Sequence, residues 1–162
     1  MEKNSTIVFT KLKTAELELK DMPECEDDQV LIKTSKTLIS TGTEMSVFNG
    51  EFPEDSRWAQ YGKYPFIPGY CNAGVVIKAG AKVDKSLIGK RVVSYCNHQK
   101  YGTTPSQYVK VLPDGVSDEE AAFFALTEIV MHGVRRSQIS WGDSAVFYGM
   151  GIFVSLVQAL IF

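Results

Sequence analysis

The chain has 162 residues, of which 44% are hydrophobic and 22% charged. This length suits one ordinary domain rather than two of full size, and the composition excludes disorder and coiled coil. Seventeen Lys and Arg residues against 19 Asp and Glu give a formal net charge of −2, without a dense basic run. Binding to nucleic acid usually requires clustered Lys and Arg residues that displace the counterions of the phosphate backbone, so nucleic acid is not an expected partner.

The cysteine pattern gives the expected compartment. Cys25, Cys71 and Cys96 form no Cys-x-x-Cys pair and no even set, so neither a disulfide framework nor a ribbon-type zinc site is predicted. The first apolar stretch, residues 7–9, is too short for the core of a signal peptide. We therefore expect a cytoplasmic protein with reduced thiols.

Short segments rich in β-forming residues, separated by Gly, Pro and acidic turns, predict antiparallel strands over most of the chain. The predicted strands are residues 6–9, 16–19, 29–38, 74–80, 89–94 and 107–111. Their number and spacing suit a small barrel.

A helix is predicted to follow the last of these strands. Ser117-Asp118-Glu119-Glu120 has the pattern of a capping box, in which Ser117 accepts from the amide of Glu120 and the Glu120 carboxylate reaches back. The helix is expected to end near Ser137, where basic residues suit the negative end of the dipole. Its apolar positions at helical spacing are Ala121, Phe124, Ala125, Ile129 and Val130.

The end of the chain carries no charge from residue 145 to 162. Residues 144–148 are predicted to form a buried strand, followed by Gly149-Met150-Gly151 and a helix-like run that begins at Ile152. This order is typical of the opening of a dinucleotide-binding βαβ unit, whose glycines let the backbone approach a pyrophosphate. A membrane anchor is the alternative interpretation, against which Gly149, Gly151 and Gln158 argue.

Taken in order, these landmarks resemble the medium-chain dehydrogenase/reductase family, whose members join an N-terminal GroES-like catalytic barrel to a Rossmann domain. The segments that carry the resemblance are Thr41-Gly42-Thr43-Glu44, Ile67-Pro68-Gly69-Tyr70-Cys71-Asn72-Ala73-Gly74, Gly89-Lys90-Arg91-Val92, Pro105-Ser106-Gln107-Tyr108, Ala121-Ala122 and Gly149-Met150-Gly151. The resemblance covers nearly the whole chain but about half of a typical member.

The resemblance implies a mainly β fold in two parts. Residues 1–140 are expected to form a GroES-like antiparallel barrel with a linking helix. Residues 141–162 are expected to supply the first strand and turn of an incomplete α/β Rossmann domain, with Gly149, Met150, Gly151 and Ile152 against the cofactor. Val154 stands at the third glycine position of the fingerprint, where close packing of helix on strand needs a glycine.

The family's zinc ligands are not matched in this chain. Thiolate and imidazole hold the catalytic zinc in the family, whereas the matching positions here are Thr41 and Tyr70, and the third falls near Leu126. The four cysteines of the structural-zinc lobe are also absent after Cys96. We therefore predict a zinc-independent member without a metal site. A rival, weaker hypothesis combines Cys71, Cys96 and His98 into one metal site.

Four residues are candidates for chemistry by resemblance. The family's hydroxyl at Thr43 passes a proton between substrate and cofactor, although Thr43 could instead cap the turn before residues 45–48. Glu44 would support the site, or simply be an acidic residue in a first helical turn. Tyr70 and Cys71 would face the catalytic cleft, where the phenol could donate to a carbonyl oxygen in place of a metal; a packed tyrosine beside a buried thiol is the alternative.

The sequence therefore predicts the N-terminal part of a zinc-independent NAD(P)-dependent oxidoreductase. Its substrate in complete relatives would be a small molecule with a carbonyl, alcohol or activated alkene, and this chain alone would be inactive because most of the cofactor domain is missing. A non-catalytic assembly module is the alternative. The lone strand at 144–148 and the apolar run that follows it predict a homo-oligomer formed through the C-terminal segment.

Overall fold

The computed structural model describes residues 2–140 and 142–161. Its strands are β1 (Asn4–Lys11), β2 (Thr14–Lys20), β3 (Gln29–Thr37), β4 (Asn72–Ala79), β5 (Arg91–Ser94), β6 (Tyr101–Pro105) and β7 (Lys110–Val111). Its helices are α1 (Thr43–Asn49), α2 (Arg57–Tyr61), α3 (Asp118–Ala121), α4 (Phe124–Ser137) and α5 (Ile152–Ile161). The chain divides into two compact units, which we call the strand unit, ending at Ala122, and the helical unit, beginning at Phe123.

All strands belong to two antiparallel sheets. β1 pairs with β2, and the second sheet has the order β6-β3-β4-β5-β7. The predicted mainly β, antiparallel fold is therefore confirmed. The strand predicted at residues 107–111 was wrong in extent, because residues 106–108 form a 3₁₀ turn and only Lys110–Val111 is strand. β6 was not predicted.

The core of the strand unit is built on the larger sheet, from residues of β3, β4 and β5 and of the segments that connect its strands. Its buried residues are Val30, Ile32, Val76, Ala79, Val83, Val92, Cys96 and Val109. Alternation along β3 places Val30 and Ile32 on one face, and both are fully buried. Each such side chain stabilises the fold by about 1.5–3 kcal/mol relative to an exposed one. This sheet is the rigid support for the loops that carry the site.

The predicted capping box at Ser117 is confirmed, because Ser117 Oγ accepts from the Glu120 amide and the Glu120 carboxylate accepts from the Ser117 amide. Arg91 of β5 holds the same turn, donating to Asp118 Oδ1 from Nε at 3.0 Å and Nη2 at 2.6 Å. The Ser35 hydroxyl and then Arg91 hold the pKa of Asp118 below its usual value. The prediction of one continuous helix was wrong, because α3 ends at Ala121 and α4 begins at Phe124.

The helical unit differs from its prediction in two places. Ile129, predicted on the apolar face of α4, is 54% exposed, while Ala125, Leu126 and Val130 are buried. Residues 144–148 were predicted to form a buried strand, and that prediction was wrong: they form neither strand nor helix. A strand needs a neighbour for its amides and carbonyls, and no described strand pairs with this segment. The domain boundary near residue 140 stays a prediction.

The described helices are short, with 14 residues in α4 and ten in α5. Within residues 2–140 and 142–161, no helix has the length and apolar character needed to cross a bilayer.

Candidate functional site

Four polar residues form a hydrogen-bonded group that we call the polar cluster: Ser40, Glu44, Tyr70 and His98. The Tyr70 hydroxyl donates to Ser40 Oγ at 2.6 Å, and the Ser40 amide donates to Glu44 Oε1 at 2.9 Å. His98 Nε2 lies 2.7 Å from Glu44 Oε2. Ser40, Glu44 and His98 are each more than nine-tenths buried, so the group is shielded from water on most sides. Buried polar groups that satisfy one another in this way fix local geometry.

The backbone explains how these residues meet. The Glu44 amide donates to the Ser40 carbonyl at 3.1 Å, so the 40–44 loop turns directly into α1 and the Glu44 side chain folds back onto the loop. His98 is held on both sides of its peptide: its amide donates to the Pro68 carbonyl at 2.8 Å, and its carbonyl accepts from the Ile7 amide at 2.9 Å. The cluster thus joins the start of α1 to the loop before β6.

Gly69 is required for this approach. Its φ is +105°, a region that side chains disfavour. A Cβ built at Gly69 would lie 2.5 Å from the His98 amide nitrogen and 2.9 Å from His98 Cγ. Any larger residue at this position would push His98 away from Glu44.

His98 Nδ1 is buried and makes no hydrogen bond within the described part of the chain. When the imidazole is neutral and Nε2–H donates to the Glu44 carboxylate, Nδ1 carries only a lone pair. Glu44 and His98 also line a cavity of about 400 Å³. Its other lining residues are mostly apolar: Ile7, Phe9, Ala15, Thr37, Ile39, Met45, Phe48 and Pro68.

Thr43 lies in a second cavity of about 290 Å³, which we call the Thr43 cavity. Its lining residues are Thr43, Ser46, Glu51, Phe52, Pro53 and Trp58. Thr43 is the first residue of α1, and the cap position belongs to Gly42, with no side-chain hydrogen bond capping the helix. The alternative that Thr43 caps this turn was therefore wrong. Its half-buried hydroxyl makes no hydrogen bond to any described residue and is available to a ligand.

Tyr70 and Cys71 differ in what they can contact. Tyr70 is partly buried, but its single proton is directed to Ser40, so donation to a substrate would require the hydroxyl to rotate. Cys71 has no exposed surface, which matches the alternative of a packed thiol. Burial raises the pKa of the Cys96 thiol, which disfavours a reactive thiolate there. Among the residues that the structure describes, no three His, Cys, Asp or Glu side chains are grouped to hold a metal.

An aromatic group borders the Thr43 cavity and was not predicted from the sequence. The rings of Trp58 and Tyr61 meet edge to face at 5.8 Å, and those of Tyr61 and Phe66 at 5.1 Å. Burial, followed by the charges of Glu44 and Tyr70, raises the pKa of Tyr61, so its phenol stays protonated. The available signal was the density of aromatic residues between Gly50 and Phe66.

The predicted cofactor turn lies in the helical unit. Gly149 has a φ of +107°, and a Cβ at Gly149 or Gly151 would meet no atom within 4 Å. Met150 is 88% exposed, and α5 begins at Ile152, as a glycine turn leading into a helix requires. The amides of a first helical turn lack partners within the helix and favour an anion. The strand expected before this turn is not formed, and cofactor binding at residues 149–152 stays a prediction.

The sequence profile described as the alcohol dehydrogenase GroES-like domain matches residues 26–147, which is most of the chain. The chain belongs to this family. The resemblance to medium-chain dehydrogenases and reductases is thereby confirmed.

Individual relatives agree with this assignment. D-arabitol-phosphate dehydrogenase from Enterococcus avium is 26% identical over 80% of this chain and 44% of the relative. An Escherichia coli alcohol dehydrogenase, crystallised with NADH, has a TM-score of 0.85 at 18% identity. The match covers 99% of this chain and 53% of that enzyme. A Bacillus thuringiensis protein described as an NADPH:quinone reductase has a TM-score of 0.68 at 25% identity, and the match covers 84% of this chain and 41% of that protein. The chain thus spans about half the length of the relatives it matches.

Proposed function

We propose that this chain is the substrate-binding portion of a zinc-independent NAD(P)-dependent oxidoreductase that acts on a carbonyl, an alcohol or an activated alkene. One observation carries the proposal: the Thr43 hydroxyl, at the family's proton-transfer position, lines an open cavity and makes no competing hydrogen bond within the described residues. A bound nicotinamide would supply or accept the hydride. Thr43 can give a proton to the substrate oxygen in reduction and take it in oxidation, because a hydroxyl both donates and accepts.

The polar cluster supports this role by fixing the first turn of α1. Glu44 and His98 hold the residue next to Thr43, so the hydroxyl is presented from a rigid element rather than from a loop. Tyr70 is the second candidate donor, through rotation away from Ser40. Gly149, Met150, Gly151 and Ile152 would hold the cofactor pyrophosphate at the start of α5.

Hydride transfer tests the proposal. The described residues contain one glycine turn and no strand of a nucleotide-binding sheet, so we expect the chain alone to oxidise neither NADH nor NADPH with aldehydes, ketones or quinones. Joining residues 1–140 to the nucleotide-binding half of Bacillus subtilis sorbitol dehydrogenase, a relative at 24% identity, should restore turnover. Thr43→Val should then lower kcat by about 10²–10⁴-fold. The matched control Thr104→Val, at a half-buried position of β6 that lines neither cavity, should change it little.

A chimera that binds both cofactor and carbonyl but transfers no hydride would contradict the proposal, as would equal losses in Thr43→Val and Thr104→Val.

Zinc independence follows from the donor types at Thr41, Tyr70 and Leu126, none of which is a usual zinc ligand. Elemental analysis of protein purified without chelator should find zinc well below one equivalent. One equivalent that resists mild chelation and is lost in Cys96→Ala or His98→Ala would instead establish the rival metal site.

The cytoplasm is the compartment we propose. The described part of the chain contains no disulfide, and two of its three cysteines are buried, as suits a reducing environment.

A second candidate function, self-association through the C-terminal segment, is favoured by exposed apolar side chains in the helical unit. Val146, Tyr148 and Met150 are 77%, 95% and 88% exposed. Burying a few hundred square ångströms of such surface stabilises a complex by several kcal/mol before association costs, at about 25 cal/mol per Å². Sedimentation of the full chain should show an oligomer that a chain ending at Ser140 does not form. Two equally monomeric forms would exclude it.

A further inference from the structure

The Thr43 cavity contains two kinds of lining residue. Thr43, Ser46 and Glu51 offer hydroxyl and carboxylate groups, whereas Phe52, Pro53 and Trp58 offer apolar surface. Trp58 is half exposed and is held edge-on by Tyr61, so the flat indole is in place before any ligand arrives. Preorganised aromatic surface of this kind binds flat apolar groups at little entropic cost.

The charge of the cavity is the second observation. Glu51 is the one charged residue in its lining. The loop between α1 and α2, residues 51–56, adds Glu54 and Asp55 and contains no Lys or Arg; the nearest cation in sequence is the exposed Arg57. Phosphates and carboxylates are usually bound by Arg or Lys, and the Glu51 carboxylate in the lining repels them.

The third observation is size. A volume of about 290 Å³ lies at the lower end of the range for small-molecule pockets. The space suits one or two rings rather than a long chain. A polyol that filled this space would also place hydroxyls against Phe52 and Pro53, which offer no side-chain hydrogen bond.

We infer that the substrate of this site is an uncharged compound of one or two rings with a single reacting oxygen, rather than a polyol or polyol phosphate. The ring rests against Trp58 and Phe52, and the oxygen is held by the Thr43 hydroxyl. This inference rests on the proposed function, and it separates this chain from the Enterococcus avium relative, whose name specifies a phosphorylated polyol.

Binding to the chain as it exists tests the substrate class without cofactor or turnover. The chain has two tryptophans, so an amide correlation spectrum contains two indole N–H signals, assigned with Trp58→Phe and Trp141→Phe. Addition of 1-tetralone, an uncharged bicyclic ketone, should move the Trp58 signal saturably. D-arabitol phosphate and sorbitol at the same concentrations should leave it in place. No shift with tetralone, or an equal shift with the polyol phosphate, would overturn the inference.

Variants locate the two recognition elements. The apparent affinity for tetralone, measured by saturation transfer, should fall at least about tenfold in Trp58→Ala, because the indole surface is a major contribution to binding. Tyr108→Leu, which changes another half-exposed aromatic residue outside the cavity, is the matched control.

The anionic ring 4-acetylbenzoate should bind about three- to tenfold better in Glu51→Gln than in the unaltered chain, with Glu54→Gln as its control. Equal effects of each variant and its control would also overturn the inference.

The two proposals fail separately. Loss of ring binding overturns the substrate class even when the chimera transfers hydride. A chimera without hydride transfer, alongside saturable ring binding at Trp58, overturns the reaction alone.

Discussion

The core of the strand unit and residues 144–150 of the helical unit differ in how far their apolar residues are buried. In that core, Ile32 and Val92 are completely buried because they pack with Val30, Val76 and the other core residues. In the helical unit, Val146 and Tyr148 are 77% and 95% exposed, and the segment that carries them has no regular structure. What differs is whether a partner element exists, so burial is a property of the assembled sheet and not of the segment.

The largest effect should come from breaking the polar cluster of the strand unit. His98→Ala removes the hydrogen-bond partner of the buried Glu44 Oε2, and the loss should lie near the upper end of the about 1–3 kcal/mol that an unsatisfied buried polar group costs. Denaturant unfolding should show a loss of that order. Lys100→Ala, which breaks an exposed ion pair with Glu2, should lower stability much less, because water screens an exposed pair.

If the unsatisfied Glu44 oxygen is the cause, Glu44→Gln added to His98→Ala should recover part of the loss. A double variant with the summed loss of both single variants would contradict this explanation.

Two glycine-to-alanine variants contrast the units directly. A Cβ at Gly80 would lie 2.0 Å from the Glu26 carbonyl oxygen, which cannot easily retreat, so Gly80→Ala should destabilise the strand unit by about 2 kcal/mol. Gly133 lies inside α4 with open space around it, so Gly133→Ala should stabilise the helical unit by about 0.5–1 kcal/mol. Thermal unfolding followed by helical circular dichroism would detect both; the same sign for both variants would be inconsistent with this account.

A smaller effect is expected where the strand unit ends. Asp118→Asn should cost about 1 kcal/mol, since its partner Arg91 is 39% exposed and partly screened. The Ser35 hydrogen bond and Arg91 lower the native pKa of Asp118, so the stabilisation is complete above the usual carboxyl range and is lost as pH falls through the native value. The difference in unfolding free energy between the two proteins should therefore shrink as pH is lowered below about 4. A constant difference, or an equal one for the exposed Asp114→Asn, would argue against the ion pair.

The smallest effect on stability should come from the helical unit. Tyr148→Asp replaces an almost fully exposed side chain and should change the unfolding free energy by about 0.5 kcal/mol or less. It should nevertheless lower self-association, because the new charge must be desolvated in any apolar contact. Tyr108→Asp, in the strand unit, should leave the mass in solution unchanged. An unchanged oligomer in Tyr148→Asp would exclude this segment as the contact.

Local patterns were the most reliable part of the sequence. The capping box at Ser117 was predicted correctly because both its donors and acceptors lie within four residues. The strand at residues 144–148 was predicted wrongly because its apolar character says nothing about a neighbour. β6 was overlooked because Tyr101–Pro105 is polar and short, and its pairing with β3 is what makes it a strand.

The candidate site was only partly visible in the sequence. Thr43 and Glu44 were predicted from the family resemblance, but the partner of Glu44 is His98, 54 residues further on, which the sequence suggested only as a ligand in the rival metal-site hypothesis. Ser40, which receives the Tyr70 hydroxyl, was missed for the same reason. Contacts between distant loops depend on how the sheet brings the loops together. The spacing of residues within either loop does not predict those contacts.

Gly69 has a consequence for anyone who wishes to redesign this site. Because its missing side chain leaves room for the His98 peptide, a saturation library at position 69 would mostly yield proteins with a displaced His98. Tyr70, one residue away and partly exposed, can be varied without that clash, at the cost of its hydrogen bond to Ser40 Oγ. A productive library therefore includes position 70, holds position 69 constant, and directs its diversity to the Phe52 and Trp58 walls of the Thr43 cavity.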